Sequence, residues 1–208
     1  MGRTEAILLT ALMISIAALA ISFSHERGIA SITGLDSSGT ATTSVNLTEE
    51  VSVKITGSID FGSGRVNSTA VNATLDSNLT GAAAVLGGTW NGASLPQYVS
   101  IENDGTVNIS VNVSGNSDNN AKGLIGGTSP LFQVKGITTK AGACSGTFVT
   151  SYDSGNVPNS TETPLSLCAL LNFPQSADSF NVSARLVIPN DANPGQRNVT
   201  ITFSVSKV

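Results

Sequence analysis

The residue in this chain best placed to do chemistry is Cys144. It sits in Gly142-Ala143-Cys144-Ser145-Gly146, the spacing of a nucleophile elbow with Cys in place of Ser. A cysteine nucleophile needs a base to make the thiolate. The single histidine, His25, lies beside an apolar N-terminal run, and no strand-to-helix pattern surrounds Cys144. The competing reading uses the only other cysteine, Cys168. Two cysteines in an exported chain read as a disulfide, and closing a loop of that length would stabilise by roughly 3 kcal/mol. The second reading is the expectation.

Other catalytic arrangements fail on residue supply. One histidine cannot make a two-histidine zinc motif or be spared for a Ser-His-Asp triad. No phosphate-cradling loop of the Walker type is present, and Gly62-Ser63-Gly64 reads as a turn with no helix after it. Carboxylate pairs for sugar hydrolysis would have to come from Glu49, Glu50, Asp60, Glu102, Asp104, Asp178 or Asp191, and nothing in the spacing pairs them. Asn116, Asp118 and Asn120 carry oxygens of the kind calcium takes, within a run that reads as a polar loop. Trp90 and Tyr98 have the ring types of a sugar-stacking platform, yet in a chain with ten aromatics Trp90 reads as a core or hairpin residue. The expectation is a non-enzyme with no cofactor and no metal.

Asparagine offers a different chemistry. Nine Asn-x-Ser/Thr triplets occur, at Asn46, Asn67, Asn72, Asn78, Asn108, Asn112, Asn159, Asn181 and Asn198. Chance in this composition gives roughly four. Asn46, Asn72, Asn108, Asn112, Asn181 and Asn198 fall on the polar phase of alternating segments, where a side chain can carry a glycan away from a core. All nine are expected acceptors, given a host with the machinery.

These residues need elements to hold them, and the first element is a leader. Ala6 to Phe23 is apolar apart from Thr10, Ser15 and Ser22, with Arg3 before it and His25, Glu26 and Arg27 after it. Three readings stand. It is a cleaved signal with small residues at Ala18-Leu19-Ala20 or Ser22-Phe23-Ser24. It is a retained anchor, slightly short of the ~20 residues that cross a bilayer. Or it is a filament-core helix freed by a cut near Gly2-Arg3. Each exports the rest. The organisation read from sequence is a signal or anchor over 1–24, a flexible Gly/Ser/Thr-rich linker over 25–44 and one domain over 45–208.

From Val45 the period is two. Val45, Leu47, Val51, Val53, Ile55, Ile59 and Phe61 share one parity. Val71-Ala73-Leu75, Val107-Ile109-Val111-Val113, Phe132-Val134, Phe148-Tyr152, Phe180 to Ile188 and Val199 to Val205 continue the pattern, with Val187 as the exception. Asn103-Asp104-Gly105 reads as a hairpin turn. Residues 81–88 and 165–173 fit short helices or further strands. Seven to nine strands with no amphipathic helix between them predict an all-β fold, a two-sheet antiparallel sandwich of jelly-roll or Ig-like type. Composition agrees. Charged residues are 12 %, and the polar surface comes from 28 Ser, 22 Thr and 18 Asn, residues of strands and turns. A net charge of −4 with ten scattered basic residues excludes a phosphate-binding stripe and so nucleic acid.

Two segments carry a family resemblance. Ile101-Glu102-Asn103-Asp104-Gly105-Thr106-Val107 resembles an N-x-G hairpin of exported β domains. Ile188-Pro189-Asn190-Asp191-Ala192-Asn193-Pro194-Gly195 resembles their P-x-x-A-x-x-G closing hairpin. With the leader, they make the chain similar to secreted archaeal and bacterial surface β-sandwich proteins, loosely those of the TasA and camelysin biofilm-fibre family. The resemblance implies an extracellular or cell-surface location, self-association or association with other surface proteins, and fibre assembly. It carries no functional residue across, and the chain lacks the residues for the proteolysis that camelysin's name suggests. The functional expectation is a structural surface protein, a filament or coat subunit in which Thr40 to Thr56 pairs as an added strand. The alternative is an adhesion module binding carbohydrate or another cell's surface. Contact with membrane is expected only through the N-terminal segment.

Overall fold

The computed structural model describes residues 48–92, 94–115, 120–196 and 198–208. The leader, the linker, Val45, Asn46 and Leu47 lie outside the described residues.

Twelve strands form, most of them in segments where the period-two pattern predicts them. They are β1 (Val53–Thr56), β2 (Ser63–Val66), β3 (Asn72–Asp76), β4 (Val85–Leu86), β5 (Gly88–Asn91), β6 (Val99–Asn103), β7 (Ile109–Gly115), β8 (Leu131–Thr138), β9 (Cys144–Phe148), β10 (Leu165–Leu171), β11 (Ser179–Pro189) and β12 (Ile201–Lys207). One short helix, α1, spans Asn120–Leu124. The strands β2 and β5 are unpredicted, brief and without clear alternation, whereas β9 carries the expected strand residue Phe148 at its end. Ser63-Gly64, read from sequence as a turn, opens β2, which pairs with β5. Residues 81–88 hold a 3-10 turn and then β4, and 165–173 hold β10. Among the described residues no helix is long and apolar enough to cross a membrane.

All pairings are antiparallel, in a six-stranded sheet, a four-stranded sheet and a two-stranded ribbon. The eleven-residue β11 organises the six-stranded sheet. Its residues Phe180 to Val187 pair with β8 on one edge. On the other edge β6 takes Ser179 to Val182 and β3 takes Arg185 to Pro189. Beyond β6 lies β1, and beyond β3 lies β4. The four-stranded sheet runs β12-β7-β10-β9.

The two larger sheets share one core. Ile101, Val134, Phe180 and Val182 from the first sheet cluster with Ile109, Val111, Val113, Leu167 and Leu171 from the second. Phe148 of β9 meets Phe180 of β11 edge to face, with centroids 5.2 Å apart, a favoured aromatic geometry. Gly136 makes room for it: a Cβ there would stand 2.1 Å from the Phe148 ring.

Three expectations are corrected. Asn103-Asp104-Gly105 does not make a hairpin, because β6 and β7 belong to different sheets. The Asn103 side chain is buried. Its Oδ1 accepts from Gly105 N at 3.1 Å, and its Nδ2 donates to Val107 O at 2.9 Å and to Leu171 O of β10 at 3.2 Å. The turn signal is local, whereas the side-chain amide ties the chain's step between sheets. The segment 189–195 likewise joins β11 in one sheet to β12 in the other, so it closes no hairpin. Tyr152, read as a strand residue in phase with Phe148, instead sits in a 3-10 turn, Tyr152–Ser154.

Candidate functional site

The side chains singled out for chemistry are dispersed, and most of the carboxylates are already engaged. Cys144 and Cys168 are joined as a disulfide with Cα atoms 5.9 Å apart, so no thiol is available at Cys144 to act as a nucleophile. Asp178, 5 % exposed, pairs with Lys140 at 2.5 Å, and Lys140 also donates to Gln175 O. Glu102 pairs with Lys54 at 3.3 Å and Glu49 with Lys207. Asp60 accepts from Gly62 N, and the backbone N–H of Asp104 donates to Ser52 O. Both Asp191 oxygens accept from Thr128, one from its N–H at 2.9 Å and one from its hydroxyl at 2.6 Å. These bonds hold the Asp191 carboxyl below its ordinary range. Among the described residues no three metal-ligating side chains gather. Asn116 and Asp118, weighed for calcium, lie outside the described residues.

Trp90 is half-buried on the β2–β5 ribbon, flat against Gly64, where a Cβ would stand 2.2 Å from the indole. Tyr98 donates to Asn78 Oδ1 at 3.2 Å. The two rings have different neighbours.

A polar cluster that the sequence did not point to lies on the outer face of the six-stranded sheet. Tyr152 covers it, with its hydroxyl 2.6 Å from Asp76 Oδ1 and 3.0 Å from Ser183 Oγ. Lys135 and Arg185 lie over its ring at 4.3 and 4.7 Å, within cation–π range. Arg185 also grips Gln133 and Asp153. Burial first, then the Asp76 hydrogen bond, pushes the Tyr152 phenol upward. Every group has a partner, and the cluster reads as a clamp.

The acceptor asparagines divide into two sets. Asn67 accepts from Thr89, Asn78 from Tyr98, Asn108 from Phe173 N, and Asn159 from Thr161 and Glu162. Asn72, Asn112, Asn181 and Asn198 make no side-chain hydrogen bond among the described residues, and Asn72 and Asn198 are fully exposed. Asn181 lies on the outer face of β11 and Asn112 on that of β7, because their neighbours Phe180, Val182, Val111 and Val113 all face the core. Asn46 lies outside the described residues.

The feature with the shape of an interaction site is the margin between β1 and β12. The opposite margin is shut. The chain leaving β9 runs along β8, with Gly136 N to Val149 O at 2.7 Å, Val134 N to Gly155 O at 2.8 Å and Val157 N to Phe132 O at 3.0 Å. At the β1/β12 margin, each edge strand pairs on one side only among the described residues. Cross-strand register fixes which side chains face inward. Ile55 is opposite the fully buried Ile101, Phe203 opposite Val113 and Val205 opposite Val111. Yet Val51 and Ile55 remain 45 % and 44 % exposed, and Ile201, Phe203 and Val205 are only half-buried. Core-phase side chains thus remain only partly covered along this margin. Glu49 and Lys207, in the same inward phase, meet across one end of it.

Alternation in the sequence assigns these residues to the core face. It does not say that a neighbour is missing there. A scan of family models finds no match to the chain, and a search of curated proteins finds none either.

Proposed function

We propose that this is a non-catalytic extracellular surface protein, a filament or coat subunit whose copies join by strand addition at the β1/β12 margin. The two principal sheets would form a sandwich of the jelly-roll or Ig-like kind, exported by the N-terminal apolar run and assembled outside the cell. The observation that carries the reading is the apolar, core-phase lining of an edge that pairs on one side only. Free strand edges recruit strands, and fully burying a Val or Ile side chain gains about 1.5–3 kcal/mol.

The occupant we assign is residues 40–47 of a neighbouring copy, where Val45 and Leu47 continue the apolar parity ahead of β1. Val53–Thr56, part of the segment first expected to be donated, is already paired with β6 of its own chain. The Cys144–Cys168 disulfide supports an oxidising compartment. The unbonded acceptors fit the same arrangement: Asn112 and Asn181 lie on outer sheet faces, while β1 and β12 contain no acceptor. Glycans on faces leave the edges free to pair.

Light scattering and electron microscopy of the native protein test this. Wild type should form oligomers as concentration rises, whereas Val51→Lys and Ile55→Lys should stay monomeric with melting temperatures close to wild type. A wild-type monomer at high concentration, or unimpaired assembly of both variants, would overturn the reading.

A second reading, a carbohydrate-binding adhesion module, is favoured by the half-exposed Trp90 on its glycine bed. Glycan-array binding that Trp90→Ala abolishes would support it.

A further inference from the structure

Val187 is the residue that breaks the apolar–polar alternation of β11, and register explains where it goes. It pairs with Thr74 of β3 on one side and Leu131 of β8 on the other, and Thr74 pairs with Leu86 of β4. Ala73, Leu75, Phe132, Val134 and Ala184 face the core, so Leu86, Thr74, Val187 and Leu131 form a row across four strands on the outer face. Leu86 is 60 % exposed and Leu131 37 %. The adjacent outer-face row, Asp76, Arg185 and Gln133, is polar and lies under the Tyr152 clamp. Among the described residues no such clamp lies over the apolar row, whose inner members Thr74 and Val187 are half-buried.

Asn72 stands beside this row. It is two residues from Thr74 on the same face of β3, about 7 Å along the strand, and opposite Pro189. A depression of about 380 Å³ opens there, lined by Val71, Asn72, Thr128, Ser129, Pro189, Asn190 and Asp191. Val71 is 78 % exposed. Thr128 is held in place by its two bonds to Asp191. The Asn72 amide is solvent-exposed and has no hydrogen-bond partner among the described residues.

We infer that Asn72 carries a glycan that folds back onto this surface and serves as its cover. The C–H faces of its first sugars would lie on the exposed Val71 and the half-buried Val187, and their hydroxyls would face Thr128, Ser129 and Asn190. The occupant is assigned to carbohydrate because the acceptor itself lines the depression, the rim is uncharged and hydroxyl-rich apart from the engaged Asp191, and a sugar at Asn72 would obstruct a second protein face. This rests on the glycosylated, exported reading above and adds a structural role at one acceptor.

The test combines glycopeptide mass spectrometry of the native protein with binding of an environment-sensitive apolar dye. Wild type, Asn72→Gln and Asn198→Gln are each made in a glycosylating host and in a host without the machinery. The expected result is an occupied Asn72, with dye fluorescence raised by Asn72→Gln and unchanged by Asn198→Gln in the glycosylating host. In the other host all three chains should bind dye equally and at the raised level, which separates loss of the sugar from any effect of the substitution on folding. Asn72 empty while other acceptors carry sugar would overturn this inference alone. An occupied Asn72 with dye binding equal in both hosts would also overturn it. Sugar at no acceptor would overturn both it and the glycosylated reading.

Discussion

At the scale of single residues, the most consequential side chains are buried polar groups whose partners come from distant parts of the chain. Tyr152 closes a cluster that draws on β3, β8 and β11. Tyr152→Phe keeps the ring under Lys135 and Arg185 and removes only the hydroxyl, leaving Asp76 and Ser183 without its hydrogen bonds. The expected loss is about 1–2 kcal/mol, read by urea denaturation at neutral pH. The same hydroxyl sets a pH dependence. Its pKa is raised in the folded state, so its stabilising contribution is complete below the ordinary phenol value near 10. It is lost as pH rises through the folded value. Alkaline absorbance titration should therefore show one phenol ionising late, together with unfolding, and Tyr152→Phe should remove that phase. Lys140→Met leaves the Asp178 carboxylate nearly buried with no partner. Because Lys140 is itself 34 % exposed, the cost should fall below that of a fully buried pair, at about 2 kcal/mol, and be seen as a lowered melting temperature.

At the scale of elements, the four-stranded sheet depends on the pairing of β9 with β10. Register there shifts between Cys168 and Leu170, and the disulfide spans this irregular stretch. Cys144→Ala with Cys168→Ala should destabilise by about 3 kcal/mol in the chain-entropy account, with the loss concentrated in hydrogen-exchange protection of β9 and β10. Gly136 exemplifies a packing demand between elements. Gly136→Ala places a methyl inside the Phe148 ring position and should cost about 1–3 kcal/mol through overpacking, measurable by thermal unfolding. The sequence made the strands themselves legible wherever inward and outward positions differ in polarity, as in β7, β11 and β12. It left β2 and β5 illegible, because Ser63-Gly64-Arg65-Val66 and Gly88-Thr89-Trp90-Asn91 are short and carry no clear apolar–polar alternation.

At the scale of the whole molecule, side-chain pattern in the sequence determined that the body is β-rich, that one parity of strands such as β7 and β11 supplies the core, and that the two cysteines are partners. Each follows from chemistry local to the chain or from a count that admits one pairing. Tertiary structure alone decided which strands are neighbours. A turn such as Asn103-Asp104-Gly105 has the same local chemistry whether the next strand returns beside the first or crosses to the other sheet, and the distant partners β10 and β12 of β7 go with the crossing. The same holds for the candidate site. Val51, Ile55 and Phe203 belong to the core phase by sequence. Their exposure depends on whether another strand stands beside β1 and β12, and the parity of a residue holds no information about its neighbours' absence.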